Sequence, residues 1–115
     1  MAEESEKSVR QRLREFAAMA HERELAVALR KLLLLFAQWQ AKKINAFELN
    51  DHIHQYHQHA AQAIAKIYTG PVDPDMLVAR ALRLGLLSAA EVGEELATLL
   101  APLTSFFAVD SPDTE

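Results

Sequence analysis

Cysteine is absent from the 115 residues. That excludes disulfides, thiol nucleophiles and thiolate metal sites, and it suits a reducing compartment. Glycine occurs only three times and proline four times. No Ser/Gly or Pro-rich linker divides the chain, and its length fits one domain with a core of its own. Aromatic residues make up 7% of the chain and do not alternate with Lys or Arg, so no base-stacking platform is evident. Long apolar runs are also missing. The longest is Leu32 to Ala37, closed by Lys31 and Gln38, whereas a membrane span needs about 20 such residues. The acidic start, MAEESEKS, is not followed by the apolar stretch of a signal peptide. A cytoplasmic protein without a membrane partner is expected.

The charge of −4 conceals an asymmetry. Residues 1–45 hold nine Lys/Arg against six Asp/Glu, and residues 46–115 hold three against ten. Arg10, Arg12 and Arg14 are the best candidates for a phosphate-binding face, but acids flank them. Without a concentrated basic surface, nucleic-acid binding is not expected.

What remains is rich in Ala, Leu, Glu, Gln, Arg and Lys, all good helix formers. Val9, Leu13, Phe16, Ala17 and Ala20 form one apolar stripe, with Ser5 or Ser8 as its N-cap. Beyond His21–Glu24 the stripe rotates by about 100° or more and passes to Leu25, Leu29, Leu32, Phe36 and Trp39. No Gly or Pro marks a break, so one long or gently broken helix is predicted over 8–42. Asn45 and Glu48 form a capping box, with Ile44 and Leu49 as a hydrophobic staple, predicting a helix from 46 to 68 that stops at Gly70-Pro71. Asp73-Pro74 opens a helix over about 74–84, ended by Gly85. Ser88 and Glu91 are a second capping box, with Leu87 and Val92 as staple, for a helix running to about 100. Pro102 starts a last turn through Phe106 and Phe107. The expected fold is an all-α bundle of four to five helices, one domain over 1–115 with mobile tails at 1–7 and 109–115. At its centre an antiparallel hairpin pairs 25–42 with 46–68.

The residues Trp39, Ile44, Phe47-Glu48-Leu49, Asp51, Ile53-His54, His57, Tyr68 and Gly70, then Met76 to Ala81 and Gly85 to Leu87, resemble a group of small, uncharacterised helical bacterial proteins. The resemblance covers about residues 25–95. It implies a compact bacterial helical domain and carries no activity.

Four of the five histidines fall within 52-HIHQYHQH-59. On a helical wheel Leu49, Ile53, Tyr56, Ala60, Ile64 and Ile67 form the core stripe. His52 and His59 lie along one edge of it, and His54 and His57 along the other. No His pair has the i, i+4 spacing of a helical zinc site, and no other helix supplies the Glu-x-x-His of a di-iron bundle. Asp51, His54 and His57 are the only candidate metal ligands. The cluster reads as a polar helix rim. Neither a cofactor nor a small-molecule ligand is expected.

Helical ribonucleases of the HEPN class carry an Arg…His pair spaced like Arg14 and His21, although the usual polar residue after the Arg is here Glu15. Ser5, Ser8 and Ser88 read as caps, not nucleophiles, and Glu91, Glu94 and Glu95 as acidic first turns favoured by the helix dipole. The run Leu32–Phe36 is apolar on every side, and a helix of that kind must be buried on every side. The leading expectation is therefore a non-enzymatic interaction module, a homodimer or the partner of another protein. Leu33, Leu34 and Trp39 would lie in its interface, with the pair Phe106-Phe107 as core closure or a second contact. The alternatives are a metal-binding or HEPN-like RNA-processing enzyme using the His cluster or Arg14/His21, and a helical subunit of a nucleoprotein complex.

Overall fold

Neither glycine nor proline occurs before Gly70, so neither residue interrupts the backbone hydrogen-bond ladder of the first forty residues. In the computed structural model, which describes residues 2–107 and the side chains from residue 8, α1 runs unbroken from Ala2 to Gln40. The expected tail 2–7 is thus helical backbone, and Ser5 and Ser8 lie inside the helix instead of capping it. The expected tail 109–115 lies outside the described residues. After α1 come α2 (Ala46–Gln55), a π-helical segment (Tyr56–Ala61), α3 (Gln62–Thr69), α4 (Pro74–Leu84), α5 (Ala89–Val92) and α6 (Glu94–Phe106). The chain is all-α, with no strand among the described residues.

Two compact units share this chain. One takes the residues up to Ala20 and from Pro71 onward, and the other is His21–Gly70. In the first, the start of α1 contributes Leu13, Ala17 and Ala20 to the core. Val78 of α4, Val92 of α5 and Leu96 of α6 are the largest fully buried side chains. Arg12 adds a polar tie: its Nη2 donates to the Val92 carbonyl oxygen over 3.1 Å, satisfying an acceptor at the end of α5. Gly93 follows at φ 98°, a backbone that favours glycine. The helix expected to run from 89 to about 100 therefore breaks there and restarts at Glu94. Pro102 sits inside α6, not at the start of a turn. It faces outward beside exposed Thr98, whose carbonyl loses its helical donor on the side that water can reach.

The helix ends follow local chemistry. Asn45 and Glu48 exchange both bonds of a capping box, each at 2.8 Å. Ser88 and Glu91 do the same at 2.9 and 3.1 Å. A cap of this type contributes about 1 kcal/mol. Asp73 starts α4 with an extended backbone but without a side-chain cap bond. Gly85 ends α4 in the left-handed region at φ 82°. Gly70 is instead extended, and a Cβ there would stand 3.0 Å from the Lys66 carbonyl oxygen, so a side chain at that end would have to push this backbone back by a few tenths of an ångström.

The end of α1 carries a Schellman turn: Lys43 N–H donates to the Gln38 carbonyl at 2.8 Å and Lys42 N–H to that of Trp39 at 2.9 Å. The left-handed position belongs to Lys42, at φ 63°. A non-glycine residue pays roughly 1–2 kcal/mol there, against about 0.5–1 kcal/mol of extra unfolded-chain entropy that glycine would add. Lys42→Gly is expected to raise stability by about 0.5–1 kcal/mol, read as a higher urea midpoint. A lower midpoint would mean that the Lys42 side chain makes contacts that outweigh its backbone strain.

Candidate interaction surface

Within His21–Gly70 only Leu49 and Ile64 are buried apolar side chains, whereas the other unit buries Leu77, Leu87 and Leu100 besides those named above. The shortfall reflects the composition of α1. Its apolar residues between Leu25 and Trp39 point in all directions, so one packed neighbour covers only part of them. Leu25, Leu32, Leu35 and Phe36 are half-buried, Leu29 and Trp39 are exposed, and Leu33 and Leu34 are each 65% exposed.

A groove of about 550 Å³ runs beside α1 in this unit. Glu24, Val27, Ala28, Lys31, Leu32 and Leu35 form one wall. His52, Gln55, Tyr56, His59, Ala60, Ala63, Ile64 and Ile67 form the other. Small residues leave the space: Ala28 faces a wall with Ala60 and Ala63. At the groove's edge the Tyr68 hydroxyl donates to Glu24 Oε1 over 2.7 Å. The Tyr68 ring stacks on His21, with centroids 4.4 Å apart and planes within 5°.

The π-helical segment Tyr56–Ala61 carries His57 and His59, while His52 and His54 belong to α2. A wheel of constant pitch fails across such a segment. His52 and His59 do line the same groove, as the wheel predicts. His54 lies in a separate surface hollow with Phe47, Glu48, Asn50 and Asp51, and His57, its expected neighbour, is exposed without lining that hollow. Asp51 accepts a long 3.4 Å bond from Gln55 Nε2. Of the three candidate metal ligands the structure brings together only Asp51 and His54. No group of three His, Asp or Glu side chains placed to hold an ion occurs among the described residues.

The remaining candidates have other neighbours. Arg10 and Arg14 line a hollow with Asp73 and Asp75, and Arg12 is bonded to Val92, so the three arginines do not form one cationic face. His21 is occupied by its stack on Tyr68, and Arg14 has an acidic setting of its own. Glu91 is held in its capping box, and Glu94 and Glu95 occupy the first turn of α6. Phe106 and Phe107 meet edge to face, with centroids 5.4 Å apart. Phe106 is 66% exposed, so of the pair only half-buried Phe107 fits the expected core closure. No helix among the described residues is long and apolar enough to cross a membrane.

A scan against family models and searches of curated proteins and solved structures match nothing.

Tyr68→Phe keeps the ring that stacks on His21 and removes only the hydroxyl. A partly buried bond to a carboxylate contributes about 1.5 kcal/mol, the low end for a charged partner. The variant is expected to lose that much in urea denaturation, and Tyr68→Leu to lose more. An unchanged midpoint in Tyr68→Phe would show that water replaces the Glu24 bond without loss.

Proposed function

We propose that the chain is a non-enzymatic helical module whose role is self-association, working in the cytoplasm. The observation that carries the reading is the pairing of a thin core with exposed apolar side chains on the same stretch of α1. Leu33 and Leu34 are each 65% exposed, and Val27, Leu29 and Trp39 are exposed beside them. Soluble monomers seldom leave such a surface open. A unit of about fifty residues is also close to the size at which oligomerisation supplies the missing burial.

The reading takes 25–42 and 46–68 as an antiparallel hairpin. Its support is the Glu24–Tyr68 bond, which ties an early residue of this stretch of α1 to the end of α3. A hairpin covers one side of each helix, and a second copy is the simplest cover for the rest, since closed two-fold pairs are the commonest oligomers. Leu34 lies on the associating face of α1, with Leu33 and Trp39 on its flanks. Phe106 and Phe107 form a smaller apolar patch on the other unit.

Sedimentation at tens of micromolar tests this directly. The expected mass is that of two 12.9 kDa chains. Replacing Leu33 and Leu34 together by lysine should give monomers that keep their helical circular dichroism. A monomer mass for the unaltered protein, with the double variant unfolded, would place this face inside one chain and end the proposal.

A further inference from the structure

The groove between α1 and the wall that runs from α2 to α3 is self-complementary, and we propose that it receives α1 of a second copy, antiparallel, about a two-fold axis near Val27 and Ala28. This rests on the self-association reading and specifies where the copies meet. Three observations point to a second copy instead of an unrelated helix.

The first is that socket and ridge lie side by side. A two-fold contact uses the same patch on both molecules, so that patch must offer both shapes. Ala28, Ala60 and Ala63 leave the socket. Val27, on its lip, and Leu34, seven residues further, differ by about 20° on an α-helix and form a ridge along the same side. Val27 is 43% and Leu34 65% exposed. Leu33 points away, about 100° from Leu34.

The second is charge. The groove wall carries Lys31 and Glu24, whose carboxylate also accepts the Tyr68 hydroxyl; the two lie at equal distances, about 5 Å of helix rise, on either side of the point between Val27 and Ala28. An antiparallel approach about that point brings Lys31 of each copy level with Glu24 of the other, so the same register seats Val27 on Ala28 and pairs two opposite charges. A parallel approach would set like charges level and lose both pairs.

The third is the uneven burial within one chain. The unit that contains the groove buries Leu49 and Ile64 alone, and docking there covers apolar side chains of the same α1 that supplies the ridge. Two hairpins joined in this way make a four-helix assembly with one continuous core.

The lack of cysteine makes a direct test simple. A residue near a two-fold axis meets its own counterpart, so Val27→Cys, under mild oxidation at tens of micromolar, should form a covalent dimer in high yield. Leu33→Cys, on the far flank, should form at least tenfold less. Ala63→Lys, at an exposed helical position that accepts lysine when undocked, should sediment as a folded monomer. Lys31→Glu, which sets two carboxylates level, should dimerise less than Lys31→Gln. If the unaltered chain sediments as a dimer but Leu33→Cys cross-links better than Val27→Cys, or Ala63→Lys keeps the dimer mass, the groove is not the interface although self-association stands. A monomeric unaltered chain overturns both proposals.

Discussion

The structure depends on one constraint: a helix that is apolar around its whole circumference has to be covered around its whole circumference. α1 runs from Ala2 to Gln40 without a break and takes part in both compact units. In its first half the apolar residues form a stripe, and Leu13, Ala17 and Ala20 are buried. In its second half Leu32 to Phe36 spread around the axis, and no single neighbour meets them all. The result is a chain with one well-filled core and one thin one. The exposed leucines, the open groove and the half-buried Tyr68–Glu24 pair all lie in the thin one.

Much of this was legible because helix termini are read from local chemistry. Asn45 with Glu48, and Ser88 with Glu91, form the capping boxes that their spacing predicts, and Gly85 ends α4 as expected. The misses fall where a local rule has more than one outcome. Lys42 fills a position that glycine usually marks, so the true end of α1 carries no sequence flag. Gly93, between Val92 and Glu94, resembles a tolerated interior glycine, yet its φ of 98° ends α5 after four residues. Pro102 sits within α6 because the carbonyl it orphans faces outward.

The surface was legible to a lesser degree. That Leu33 and Leu34 lack a local partner follows from the wheel of α1. The groove does not, because it depends on alanines from separate helices facing one another. The histidines show the limit most clearly. His52 and His59 keep the shared side predicted for them, but the π-helical turn at Tyr56–Ala61 lies across the cluster, and His54 and His57 do not share a hollow. Nothing in YHQHAA signals that turn.

Amide hydrogen exchange at low and high protein concentration tests the central claim, that a second copy completes the thin core. Binding confined to the associated state raises protection in proportion to its occupancy. Protection over residues 25–36 and 52–67 should rise with concentration, while α4 and α6 stay unchanged. Exchange in those two stretches that is independent of concentration from micromolar to hundreds of micromolar would contradict the account.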